Sequence, residues 1–269
     1  MTDTIITGAS RGIGRALAVA LAGKTDQLLL VARDAAQLRD TVDEVRRRGG
    51  HAVAVPGDLS SVAGARRLGE ELASMVTPGT TLVHNAGIWP SSRVLNGDGL
   101  EMSFVVNHLG PLAMQEPLVA AGRLARIMVV SAGLVVKGRF TPDQTPTGAD
   151  FSALGTYCNT KLCLAAAMYD EARKHPDLDV VVLHPGVVRT ELGARRGPAG
   201  WLLNLVKRGW ESPERCAERL TRILARPRWS PPGEARFLVE EQEQPWPANV
   251  VDSATRAAVA RVTSGLLAR

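Results

Sequence analysis

The chain has 269 residues, 45% of them hydrophobic and 4% aromatic, which is enough to bury one large core in a single domain spanning residues 1–269. Its formal net charge is +5, yet the basic residues are scattered among acids, which argues against a nucleic-acid partner. No run of about 18 uncharged apolar residues occurs, so no membrane span is expected.

The opening MTDTIITGAS lacks the basic and apolar regions of a signal peptide. Cys158, Cys163 and Cys216 have no metal-ligand spacing and fit free thiols in a reducing compartment, so a cytoplasmic location is expected.

Short β-branched runs alternate with amphipathic helical stretches along the chain. The first strand is expected at Thr4–Thr7, with a helix from Gly14 to Ala22. Gln27–Ala32 and His51–Val55 follow as strands, with helices over Ala35–Arg48 and Val62–Met75 after them. Thr80–His84, Arg126–Ser131, Leu178–His184 and Ala235–Glu240 complete about seven strands, and longer helices fall near Leu100–Ala121 and Gly155–Lys174. Most strand candidates are continuous apolar runs, as expected of parallel strands covered on both faces. The order argues for an α/β fold with one doubly wound parallel sheet and helices on both faces. Two segments break the rhythm. Lys137–Leu154 reads as a long loop rich in Pro, Gly, Thr and Asp. Gly193–Pro213 carries the apolar patch WLLNLVKRGW and is expected to act as a substrate lid.

TIITGASRGIG places Gly8, Gly12 and Gly14 between the first strand and the first helix. Glycine there permits a tight turn and close approach of a pyrophosphate, and the helix N-terminus supplies unpaired N–H groups. Ser10, Arg11 and Ile13 belong to the same loop as cofactor-binding candidates. After the second strand comes Arg33, where a cation would meet the 2′-phosphate of NADP; Asp34 beside it would cap the next helix. NADP(H) is therefore favoured over NAD(H). In GTYCNTK, Tyr157 and Lys161 are four residues apart on one helix face. A tyrosine hydroxyl titrates near about 10, and a neighbouring ammonium would pull that value down.

With these motifs stand GDLSS (Gly57–Ser61), HNAG (His84–Gly87), VNHLG (Val106–Gly110) and HPGVVRTEL (His184–Leu192). Together and in this order they resemble the short-chain dehydrogenase/reductase family, whose members have a Rossmann-type fold. The nearest likeness is to its retinol-dehydrogenase-like group, which includes the WW-domain-containing oxidoreductases. The resemblance implies that Asp58 and Leu59 flank the adenine and that Asn85, Ala86 and Gly87 line the cofactor cleft. Asn107 would hold a water in a proton relay and fix its helix. Tyr157 would be the general acid, with Lys161 also binding the nicotinamide ribose. Pro185, Gly186, Val188 and Thr190 would border the nicotinamide.

The family also has a serine after the fifth strand that holds the substrate carbonyl. Alignment puts Ala132 on that position and Ser131 one residue before it. Either a local shift lets Ser131 take the role, or the role is vacant or filled by another group. One such donor is worth about 10²–10³ in rate. His84, His108 and His184 are dispersed and read as packed or capping residues rather than metal ligands. Trp201 and Trp210 would cover a lipophilic substrate, and Trp246 would pack structurally.

The favoured function is an NADP(H)-dependent oxidoreductase that moves hydride between nicotinamide and a hydrophobic carbonyl or alcohol substrate. Two alternatives stand beside it: a non-redox acid–base enzyme of the cyclase or dehydratase type, and an NADP-sensing regulatory protein. A monomer, a homodimer and a homotetramer all remain open.

Overall fold

The structure, a computed structural model, describes residues 2–189 and 210–269. Its strands are β1 (Thr4–Thr7), β2 (Leu28–Ala32), β3 (Ala52–Pro56), β4 (Thr80–His84), β5 (Leu124–Val130), β6 (Asp179–His184), β7 (Ala235–Val239) and β8 (Gln242–Gln244). They form one sheet in the order β3-β2-β1-β4-β5-β6-β7-β8. Pairing is parallel from β3 through β7, and β8 returns antiparallel on β7. That last strand is QEQ and exposed throughout, so it exceeds the expected seven. It carries no apolar run to announce it.

Alternation along each strand builds a core on each face of the sheet. Ile5, Leu29, Leu82, Ile127, Val129 and Val180 point to one face. There they meet α3 (Val62–Met75), α5 (Gly110–Ala120) and α6 (Ala153–Lys174). Ile6, Leu28, Leu30, Val83, Met128 and Val181 point to the other. Their partners are α1 (Gly12–Ala20), α2 (Ala35–Arg47) and α7 (Pro213–Leu224). A short α4 (Met102–Phe104) runs into a π-helical turn over Val105–Leu109 and then into α5. The expected single helix at 100–121 is thus interrupted where Asn107 sits. Two C-terminal helices, α8 (Ala248–Val251) and α9 (Ser253–Leu267), close the described chain.

Side-chain caps start most of the longer helices. Asp34 accepts from Ala36 N and Gln37 N at 3.0 Å each, and Ser61, Ser152, Ser212 and Asp252 cap α3, α6, α7 and α9. In α1 no side chain caps the first turn, so its N–H groups stay available at the glycine loop.

The loop over residues 137–152 is as irregular as its composition suggests. It is nevertheless fastened to the fold: Arg139 N donates to Asn159 Oδ1 (2.8 Å), and Glu101 N donates to Pro146 O (2.8 Å). Trp246 packs edge-on against Tyr169 and donates from Nε1 to Ala235 O (3.0 Å). Of the expected lid, 193–209 with Trp201 lies outside the described residues, as does Thr190.

Candidate active site

The sheet reverses strand order between β1 and β4, and the loops leaving those strands meet at that switch point. Thr7 ties them together. Its hydroxyl accepts from Asn85 N and Ala86 N, both at 3.0 Å, and donates to Val83 O at 3.3 Å. Asn85 Nδ2 returns a bond to Thr7 O (2.9 Å). Gly8 has φ +68°, and a Cβ there would lie 2.9 Å from Ala86 Cα. A Cβ on Gly14 would run into the Gly8 carbonyl. The glycine pattern therefore sets both a left-handed turn and the close packing of α1 against it.

This loop, with the uncapped start of α1 above it, fits a pyrophosphate by the chemistry of its donors. Ser10, Arg11, Gly12 and Ile13 are all at least partly exposed there. Arg33 is exposed at the tip of β2, while Asp34 is occupied in capping α2. At the end of β3, Asp58 is held by Ser60, whose N and Oγ donate to its carboxylate at 3.0 and 2.9 Å. Leu59 beside it is buried.

The second half of the site lies at the carboxyl ends of β4, β5 and β6. Asn107, buried in the π-helical turn, clamps the loop after β4. Its Oδ1 accepts from Ile88 N (2.8 Å), and its Nδ2 donates to Ile88 O (2.9 Å) and Thr160 Oγ1 (3.1 Å). Thr160 in turn donates to Tyr157 O (2.9 Å). The Asn107 side chain thus links the loop after β4 to α6. π turns are frequent at functional positions.

Tyr157 and Lys161 project from α6 as the i, i+4 spacing requires, both buried. Lys161 Nζ donates to Val130 O (3.2 Å) and lies 5.8 Å from the Tyr157 ring centre. A Cβ on Gly87 would stand 3.6 Å from that ammonium, so the glycine leaves the space beside it open. Burial lowers the lysine from 10.5 to about 8. Tyr157 departs from expectation: burial raises its hydroxyl above the ordinary value, and the Cys158 thiol adds to the rise. The Lys161 ammonium, 5.8 Å from the ring centre, does not outweigh that desolvation.

Ser131 follows β5. Its N donates to Leu183 O (2.7 Å), but its hydroxyl is buried and has no hydrogen-bond partner among the described residues. Ala132 continues in extended conformation, φ −149° and ψ 152°, so its methyl takes the opposite side and is only half-buried. Among the histidines, His84 Nε2 pairs with Gln115 Oε1 (2.9 Å) and His108 Nε2 with Thr263 Oγ1 (2.7 Å). Burial pushes them down to about 4 and about 3, so both are neutral packed rings. His184 at the end of β6 is likewise lowered, chiefly by burial.

Beyond β6, Gly186 turns with φ +89°. Arg219 of α7 lies under this turn, with its guanidinium donating to Pro185 O and to both carboxylate oxygens of Glu211. Glu240 stands 3.7 Å away on the other side. Val188 and Glu211 form a short bridge through Arg189 N to Glu211 O (2.8 Å) and Glu211 N to Val187 O (3.1 Å). The Pro185–Gly186 turn is therefore clamped from below.

Three features of the site escaped the sequence reading: Thr7, the Arg219 cluster and Trp89. Trp89 stacks on Tyr157 with ring centres 4.6 Å apart and 12° between planes. An aromatic two residues past HNAG, at the carboxyl end of a strand, was a signal that could have found it. Arg219 sits far along the chain on an amphipathic helix, where nothing local marks it.

Comparison with known proteins agrees with this geometry. The short chain dehydrogenase family model matches residues 3–199. Polyprenol dehydrogenase of Mus musculus is 31% identical over 258 residues, covering 89% of this chain and 76% of that protein. Retinol dehydrogenase 13 of Homo sapiens is 29% identical over 231 residues, with 81% and 70% covered. A short chain dehydrogenase from Burkholderia cenocepacia J2315, solved in complex with NADP, superposes with a TM-score of 0.67 at 20% identity, covering 88% of this chain and 96% of its own. The chain belongs to the short chain dehydrogenase family and is an oxidoreductase close to its retinol-dehydrogenase-like group.

Proposed function

We propose that the protein is an NADP(H)-dependent oxidoreductase acting on a hydrophobic carbonyl/alcohol pair, with Tyr157 as the proton donor in reduction. The observation that carries this reading is the pairing of Tyr157 with Lys161, whose ammonium lies beside Gly87, at the same sheet end as the glycine loop. A nicotinamide dinucleotide held there supplies the hydride. The chain's own residues do the rest. The uncapped α1 start and glycine loop bind the pyrophosphate, Asp58 and Leu59 border the adenine, and Gly87 and the Pro185–Gly186 turn bound the nicotinamide half. Arg33, exposed and paired with no described residue, supports the choice of the 2′-phosphate form, as does the use of Asp34 as a cap.

In reduction, Tyr157 Oη gives its proton to the carbonyl oxygen as negative charge develops there. Burial keeps the phenol protonated until then. Lys161 would bind the nicotinamide ribose hydroxyls and favour the resulting phenolate. Ser131 is assigned no catalytic role, since its hydroxyl is buried and has no partner among the described residues. The vacancy at Ala132 favours, as a second reading, acid–base chemistry without net redox on the same residues. The preference for a hydrophobic substrate rests on the relatives, whose names denote dehydrogenases of polyprenol and retinol.

The test is a stoichiometric one: the purified protein is given NADPH or NADH with a panel of apolar ketones and aldehydes. The proposal requires one alcohol formed per nucleotide oxidised, and faster turnover with NADPH. Conversion of substrate with no change in nucleotide would support the non-redox reading instead.

A further inference from the structure

Trp89 has no part in the chemistry described above, yet it stacks directly on the proposed acid. Its indole covers the Tyr157 ring nearly face to face. Indole Nε1 donates to the main-chain oxygen of Ala153 at 2.7 Å, and Ala153 lies one turn before Tyr157 on α6. On the backbone side, Ile88 N and O are both held by the Asn107 side chain. Trp89 is therefore fixed at both ends, by its ring and through its neighbour.

Tyr157 has few other restraints at its tip. Its hydroxyl is hydrogen-bonded to none of the described residues, and Lys161 Nζ is turned to Val130 O. Ala132 offers a methyl where the family's serine would give a second hydroxyl to align the carbonyl. An aromatic side chain has two rotatable bonds, and proton transfer needs the donor within hydrogen-bond reach along the right line. The aromatic contact that bears on the plane of this buried ring is the stack with Trp89.

Resting on the reading of Tyr157 as proton donor, we propose that Trp89 is a positioning residue: its anchored indole fixes the plane of the Tyr157 ring and so the line on which the hydroxyl meets the substrate oxygen. In this chain stacking does part of the alignment that a second hydroxyl would otherwise share. Packing alone would give a different signature, because a ring that merely fills space influences stability and leaves turnover per folded molecule untouched.

The experiment compares Trp89→Leu and Trp89→Phe with the native enzyme, reading kcat, substrate KM, nucleotide Kd and the circular-dichroism band of the coupled rings. Trp89→Leu removes the stack; kcat should fall about a hundredfold while substrate KM and nucleotide Kd stay within about threefold. Trp89→Phe keeps an aromatic face without the bond to Ala153, and should lose no more than about tenfold in kcat. The exciton band should vanish equally in Trp89→Leu and Tyr157→Leu. Should Trp89→Leu not fold, Trp89→Met carries the same expectations.

A kcat for Trp89→Leu within about threefold of native overturns the proposal. So does a raised KM at unchanged kcat, which would make Trp89 a wall of the substrate pocket. Tyr157→Phe runs beside the series as control. Full activity there refutes the tyrosine assignment itself, whereas an inactive Tyr157→Phe beside a near-native Trp89→Leu refutes the positioning role alone.

Discussion

Lys161 is the site residue whose burial opposes folding most directly. Its ammonium is out of water and donates to Val130 O, and its pKa falls from 10.5 to about 8. A lysine depressed in the folded state disfavours folding wherever the unfolded chain keeps it charged. That penalty is complete below about 8 and fades as the pH rises toward 10.5. Lys161→Met should therefore abolish turnover yet raise the melting temperature of the nucleotide-free protein near neutral pH, by about 2–4 °C for each kcal/mol regained. The difference from native should shrink as the pH is raised through the same window. Thermal scans at several pH values check this, and a variant less stable than native at neutral pH would refute it. Ser131 is a milder instance. A buried hydroxyl without a partner costs about 1–3 kcal/mol in desolvation, so Ser131→Ala should leave kcat/KM within about twofold and stability equal or higher. A large kinetic loss would instead place that hydroxyl in the reaction.

At the scale of elements, the clamp beneath the Pro185–Gly186 turn joins three separate pieces of chain. Arg219 on α7 meets the end of β6, Glu211 before α7, and Glu240 just past β7. Glu240 adopts φ +57°, the non-glycine positive φ among the described residues, which holds its carboxylate toward the cluster. The turn borders the proposed nicotinamide half of the cleft and is remote from the adenine half at β2 and β3. Arg219→Met should weaken NADPH binding by about tenfold or more, as expected when a buried ion pair loses one partner. Binding of adenosine 2′,5′-bisphosphate, which spans only the adenine half, should stay near native. Titrations of both ligands decide the matter, and equal losses would show general damage rather than local displacement.

The elements themselves were largely legible beforehand, because a strand buried on both faces writes itself as a run such as LLLV or VVVL. The start of α6 came two residues earlier than expected, since Ser152 caps it from the loop side. Helices α7, α8 and α9 were not among those expected, and the π-helical turn at Asn107 and the polar edge strand β8 left no periodic trace. The last two depend on what lies next to them rather than on their own side chains.

At the scale of the whole molecule, the described candidate residues lie at one end of one sheet, on either side of the point where strand order reverses. Linear motifs marked most of that constellation, since the glycine loop, Asp58, Asn85–Gly87 and the Pro185–Gly186 turn each follow a strand, while Tyr157 and Lys161 share one face of α6. Contacts made by residues far apart in the chain were invisible, as with Arg219 under Pro185. The pKa of Tyr157 was misjudged for a related reason: spacing along a helix reports direction, whereas desolvation depends on everything packed around the ring, Trp89 included. Among the described residues no helix is long and apolar enough to cross a membrane.

The central claim is that Tyr157 delivers the proton in a nicotinamide-dependent carbonyl reduction. Its most direct test is NADPH oxidation with a responding carbonyl, measured for native protein and Tyr157→Phe beside a titration of NADPH binding to each. The account predicts that the variant binds NADPH within about threefold of native while turnover falls by about 10³ or more. Turnover within about tenfold of native, at equal nucleotide affinity, would contradict it and move the acid to another group.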